Sequence, residues 1–182
     1  MKTYENVIFR HIHNFWSDAE IEKFSWNNGK IITEMPYFKV FCVQPKDRNY
    51  AFYISSGIAT IINQEFFIIS PYKSEEHIET LAMIASASIA YPNSFQLNCC
   101  VNIDKPWLDN SKLKYFLISL PYTFGQNLEY MEFGNKKIRF FWLLPITDEE
   151  HSFLQNHSVG SLEDLFEANN IDYLNINRKS VV

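Results

Sequence analysis

The stretch from residue 138 to 154, IRFFWLLPITDEEHSFL, limits the fold more than any other part of the chain. Between Ile138 and Leu144 apolar side chains stand at odd and even positions alike, and the run is too short to cross a bilayer. Successive strand residues face opposite sides, so a strand of this kind has to be covered on both. Pro145 lacks a ladder donor and is expected to close it. Thr147 stands three residues before Glu150, the spacing at which a hydroxyl caps one amide and a carboxylate caps another, while Asp148 and Glu149 suit the positive end of a helix. A buried strand, with Trp142 inside, therefore runs directly into a capped helix spanning about 148–157.

The remaining segments supply the covering layers. Tyr4, Val7, Ile8, His11, Ile12 and Phe15 recur at helical spacing and predict an amphipathic helix over 3–16. The NNGK turn at 27–30 precedes strand-like IITE and FKVFCV, and QPKDRN turns the chain into YAFYISSG. IATII and EFFIIS, joined by Asn-Gln, read as a hairpin. Ser74 caps a helix whose buried stripe is Ile78, Leu81, Ala82, Ala85 and Ile89, widened by Met83 and Ile84, until Tyr91 and Pro92 end it. A loop-rich span, 92–112, leads to the strand LKYFLISLPY. LEYMEF and KIRFFWLLPI flank Gly134-Asn135, a two-residue hairpin turn that sets Glu132 opposite Lys137, Tyr130 opposite Arg139 and Met131 opposite Ile138. A last short helix carries Leu162, Leu165 and Phe166 on one side. The expected class is α+β: a mixed, largely antiparallel sheet flanked by helices, in a single domain over residues 1–182, with no repeat or linker to divide it.

Composition narrows the function. A net charge of −5 and a pI near 5.5 leave no basic stripe for a phosphate backbone, so the expected ligand is neither nucleic acid nor membrane but an electropositive protein. Cys42, Cys99 and Cys100 form no metal-ligand spacing, and adjacent Cys99 and Cys100 suit reduced, cytoplasmic thiols better than a disulfide framework. The N-terminal sequence carries no signal-peptide pattern.

The C-terminal third resembles the Suppressor of fused domain family. Trp142, Pro145 and Thr147 match its W-L-x-P-[IL]-T junction, and Glu150 and Phe153 its E-x-x-F helix. Leu162, Glu163, Leu165 and Phe166 match a short L-E-x-L-F helix, and Arg178, Ser180, Val181 and Val182 a closing R-x-S-V-V tail. FRHIHNFW, YAFYISSGIA and LPYTF are weaker matches, with Ser55, Ser56 and Ile58 departing from the commoner residues around Gly57. The resemblance implies a mixed sheet flanked by helices, one family domain without the second region of animal members, and a role in binding other proteins. Animal members sequester transcription factors, partly by taking up an extended peptide as an added strand. For bacterial members it implies immunity proteins that neutralise toxins, and it brings no catalytic residues with it.

Reactive constellations are thin on the ground. His11 and His13 point apart on a helix, and His151 and His157, six apart, fit a helix surface. ISSGIA lacks the G-x-S-x-G elbow, and neither GxGxxG nor a Walker A sequence occurs. The acidic pairs Glu75-Glu76 and Asp148-Glu149 belong to helix first turns. Three Pro-Tyr pairs, at Tyr37, Tyr72 and Tyr122, sit at strand boundaries and, with Phe124, are the candidate partner-binding residues. Their alternative is to cap the core with a hydroxyl in water. The expected function is non-enzymatic binding of a protein partner, a basic toxin first, with no cofactor or metal. Two alternatives stand beside it: sequestering a transcription factor, or a small hydrolase built around ISSGIA and the Pro-Tyr loops.

If Thr147 caps, Thr147→Ala lowers stability by about 1 kcal/mol in urea unfolding while partner binding persists. Lost binding at unchanged stability would contradict a structural role.

Overall fold

The computed structural model describes residues 3–29 and 31–182. Helix α1, Tyr4–Phe15, starts at Thr3, whose hydroxyl oxygen accepts the Asn6 amide, and buries Ile8 and Ile12. Strand β1 follows at Glu20–Ser25, an element the periodicity does not announce because its residues are half-exposed and charged. The turn before IITE places Gly29 at φ +70°, while Lys30 lies outside the described residues. IITE itself is a helical turn, α2 (Ile31–Glu34), where a strand was expected. Strands β2 (Lys39–Gln44) and β3 (Ala51–Ser56) then form as expected.

The hairpin expected from IATII and EFFIIS is absent. Ala59–Ile62 is a helical turn, α3, and Asn63 in the left-handed region at φ 58° redirects the chain into β4 (Gln64–Ser70). The reason lies in β4: buried Glu65 accepts the amides of Gly57 and Ala59 at 2.8 and 3.1 Å and so curls the segment before it. Helix α4 spans Glu76–Ala90, and the Ser74 hydroxyl accepts the Glu76 amide at 3.3 Å. Ile84 is buried as expected, but Met83 points out of the stripe and is exposed. The span 92–112 holds a short 3-10 turn and strand β5 (Cys100–Asn102), followed by β6 (Tyr115–Ser119), α5 (Gln126–Glu129), β7 (Tyr130–Phe133) and β8 (Lys136–Ile146). Helices α6 (Asp148–Phe153) and α7 (Val159–Ala168) complete the chain's regular elements.

The strands make one eight-stranded sheet in the order β1-β2-β3-β4-β8-β6-β5, with β7 paired to β8. All neighbours are antiparallel except β4 and β8. The β7–β8 register is the expected one, Glu132 opposite Lys137 and Met131 opposite Ile138. Alternation divides the core: Val40, Tyr53, Phe66, Phe116 and Leu143 face α4, while Phe41, Phe52, Phe67, Phe140 and Trp142 face α1 and α7. Covering on both faces accounts for the uninterrupted apolar character of β3, β4 and β8.

Pro145 does not close β8; it pairs with Phe116, and the strand continues to Ile146. The position tolerates proline because the β4 ladder has already ended at Trp142, and residue 145 turns its main chain away from β6, where its carbonyl accepts Arg178 Nη2 at 3.0 Å. Thr147 then forms the full capping box, its hydroxyl oxygen accepting the Glu150 amide at 3.1 Å and its amide donating to Glu150 Oε2 at 2.9 Å. Fully buried Glu150 also takes both Arg178 guanidinium arms, at 2.5 and 2.6 Å, and the Val181 amide at 3.3 Å. The tail is thereby tied to the strand–helix junction. Removing one partner of a buried ion pair strands the other, so Arg178→Ala costs about 3–5 kcal/mol in urea unfolding, against little for exposed Lys179→Ala. Equal effects of the two would contradict the assignment.

Candidate aromatic groove and buried polar groups

Grooves open at the two ends of β3. One, of about 760 Å³, lies beside Ser56 and Gly57 and is walled by Tyr4, Met35, Tyr37 and Ile61. The other two lie on the α1 and α7 face and share Thr123 and Tyr173. The larger, of about 640 Å³, has Trp142, Leu144 and Phe166 as its floor and Tyr122, Ile171 and Tyr173 among its walls. The smaller, of about 350 Å³, runs past Phe15, Tyr50 and Phe124.

The candidate partner residues are thus divided. Tyr122 and Phe124 share one loop and one surface; Tyr37, 83% exposed, walls the distant groove; Tyr72, 45% exposed, borders none of the three. Phe124 is half-buried, with its ring centroid 5.1 Å from that of Phe52, so it belongs partly to the core. Tyr122 is 59% exposed and donates its hydroxyl to Glu163 Oε1 at 2.8 Å, joining the loop to α7 across the groove. Burial, then the hydrogen bond and charge of Glu163, push its phenol up to about 12. Sequence reasoning misses the acids of this wall, Glu163, Asp164 and Glu167. Their signal is a run of carboxylates at i, i+1 and i+4 on α7 with no basic residue in its last turn.

The groups with reactive potential sit elsewhere. Ser55 donates to Glu65 Oε2 at 2.6 Å and accepts the Phe66 amide at 2.8 Å, so its hydroxyl is committed on both sides. Glu65, wholly buried, also accepts the Tyr4 hydroxyl at 2.8 Å; burial raises its carboxyl above the usual range, against the pull of its four donors. ISSGIA is accordingly a turn wrapped around a carboxylate. His11 Nε2 meets the Leu128 carbonyl at 3.2 Å and its ring stacks on Phe140, while His13 points to solvent. His151 stacks on Tyr115 and His157 on Phe153. Among the described residues no three His, Cys, Asp or Glu side chains stand close enough to hold a metal ion. Cys42 is buried and Cys99 and Cys100 are half-buried, free thiols; burial, then the neighbouring Cys99, pushes Cys100 to about 11. No described helix is long and apolar enough to cross a membrane.

His77 is the most perturbed imidazole: fully buried between the rings of Tyr53 and Trp107, it borders none of these grooves. Ser70 gives its proton to the Tyr72 carbonyl, so His77 Nε2 at 2.9 Å must be the donor to Ser70.

These features define an α+β domain, its sheet buried on both faces, whose main surface relief is aromatic and acidic. The family model of Suppressor of fused protein (SUFU) matches residues 35–179, and the chain belongs to that family. A crystal structure of a Suppressor of fused homologue from Neisseria gonorrhoeae FA 1090 superposes with a TM-score of 0.93 at 52% identity, covering 98% of this chain and 97% of that one. The chain is 29% identical to Immunity protein YqcF of Bacillus subtilis (strain 168) over 122 residues, 58% of this chain and 62% of that protein's length. The fold recurs at 15% identity in the Sufu-Fu complex structure, with a TM-score of 0.71 over 99% of this chain and 93% of that one. Drosophila Suppressor of Fused gives 0.69, also at 15% identity, over 98% of this chain and 51% of that one.

Burial, then the Lys105 charge, lowers His77 to about 3, against 6.5 for an ordinary imidazole. A depressed imidazole adds stability that is present above its unfolded value and lost as pH falls toward the folded one. Stability in urea therefore declines between about pH 6.5 and pH 3, and His77→Gln, which keeps a donor for Ser70 but cannot charge, flattens the decline. An unchanged slope in the variant would contradict a neutral, buried His77.

Proposed function

We propose that the chain is a bacterial immunity protein that neutralises a basic toxin by direct, non-enzymatic binding in the cytoplasm. The observation that carries this reading is the kinship with an immunity protein, within a family whose model matches residues 35–179. The chemistry of the exterior supports it: a net charge of −5, exposed tyrosines at Tyr37, Tyr72 and Tyr122, and a buried carboxylate at Glu65 and a buried imidazole at His77 that border none of the grooves. Such a surface attracts a cationic protein over a distance and then holds it through rigid rings that lose little entropy on binding. Tyr122 and Phe124 are the proposed contact residues on the α7 side, and Tyr37 and Tyr72 those elsewhere. The partner in this reading is neither nucleic acid nor membrane, and the domain comprises residues 1–182.

Affinity capture with the tagged chain in cells of its source, followed by mass spectrometry, identifies the partner. A basic toxin that the chain protects against, with an association rate falling about tenfold or more from low salt to 0.5 M, is the expected result. A captured DNA-binding regulator, or association indifferent to salt, would overturn it.

A further inference from the structure

The larger groove on the α7 side has a chemistry that narrows what it accepts. Its floor is apolar, Trp142, Leu144 and Phe166, and two of its walls are phenol rings, Tyr122 and Tyr173. Its outer wall carries Glu163, Asp164 and Glu167, and among the described residues no lysine or arginine borders it. None of these carboxylates forms an ion pair among the described residues. Glu167 lies in the last turn of α7, which has no basic residue, so it adds a carboxylate to the negative end of the helix. Like charges at 163 and 167, one helical turn apart, repel as well. Both arrangements cost stability; the Tyr122 hydroxyl offsets part of the cost at Glu163, and no ion pair does so among the described residues.

A second feature points the same way. Trp142 is 5% exposed, and its indole Nε1–H finds no acceptor among the described residues. A buried donor without an acceptor is unfavourable, and here it belongs to the floor of the groove. The cavity, at about 640 Å³, falls in the range of roughly 300–1,000 Å³ that small ligands occupy. It takes more than one side chain.

We propose that this groove seats an arginine carried on an extended segment of the protein partner, with the guanidinium between the tyrosine rings and the α7 carboxylates. The proposal rests on the partner being a basic protein and names where one of its charges goes. Arginine suits the site better than lysine. Its planar, weakly hydrated head packs on aromatic faces and meets carboxylates with a fork of donors, whereas an ammonium would leave strong hydration behind on entering an apolar slot. The Tyr122–Glu163 hydrogen bond holds that carboxylate in place before binding. The segment packs over the Trp142 ring, so the indole resonance reports its arrival.

The test is an NMR titration of the 15N-labelled chain, following the Trp142 indole resonance, with a blocked glycine-leucine-arginine-leucine-glycine peptide. The Trp142 signal shifts and saturates, and the same peptide with citrulline in place of arginine binds about tenfold or more weakly. Asp164→Asn with Glu167→Gln, both exposed, reproduces that loss at a urea midpoint no lower than the parent's. Adding Glu163→Gln deepens it while keeping an acceptor for Tyr122. A Trp142 signal that never moves, or a citrulline peptide that binds equally well, overturns the proposal. Toxin protection by the double variant equal to that of the parent would separate the two readings: the groove would lose its role and immunity would stand.

Discussion

The carboxylate of Glu150 is the joint on which the C-terminal half of the molecule turns. One oxygen receives the Thr147 amide and an arm of Arg178, the other the second arm and the Val181 amide. Glu150 is fully buried and the Arg178 side chain only 5% exposed, so neither charge has water to fall back on. A pair so placed is costly to assemble and costlier to break. It fixes the exit of β8, the start of α6 and the path of the last residues at one point. Because Ile171 and Tyr173 lie between α7 and Arg178, the same joint sets the far wall of the groove.

From that joint the surface follows. Trp142 and Leu144 alternate with Phe141 and Leu143 along β8, and the alternation sends the first pair to the α7 face. The loop after β6 crosses this face, laying Phe124 over Phe52 and Tyr122 against Glu163. What remains between loop and helix is a slot with an apolar floor and a charged rim. The reactive-looking groups elsewhere in the molecule have structural duties instead. Glu65 binds the turn after β3 to α1 through Tyr4, and His77 bridges α4 to the end of β4 through Ser70.

Local chemistry was legible where the sequence itself enforces a geometry. Gly134-Asn135 dictated a hairpin and with it the whole β7–β8 register, and Thr147 with Glu150 dictated a cap. IITE and IATII misled because their β-branched residues suit strands, yet each is too short to resist its surroundings. The second is curled by a carboxylate that enters only with the following strand. Strand β1 hid behind edge exposure, and β5, with three residues, offers no period to read. Pro145 was tolerated because its neighbour strand had ended, a matter of tertiary register. The groove was illegible for a related reason: Tyr122 and Glu163 are separated by 41 positions and meet only through the fold.

The central claim is that this chain acts by presenting a preformed surface to another protein. Hydrogen exchange, compared for the chain alone and saturated with its captured partner, tests it most directly. Slowed exchange concentrated in residues 119–124 and 159–173, with β8 and α6 unchanged, is the outcome expected of a rigid aromatic and acidic face. Protection confined to other surfaces, or exchange accelerated through β8 and α6, would contradict the account.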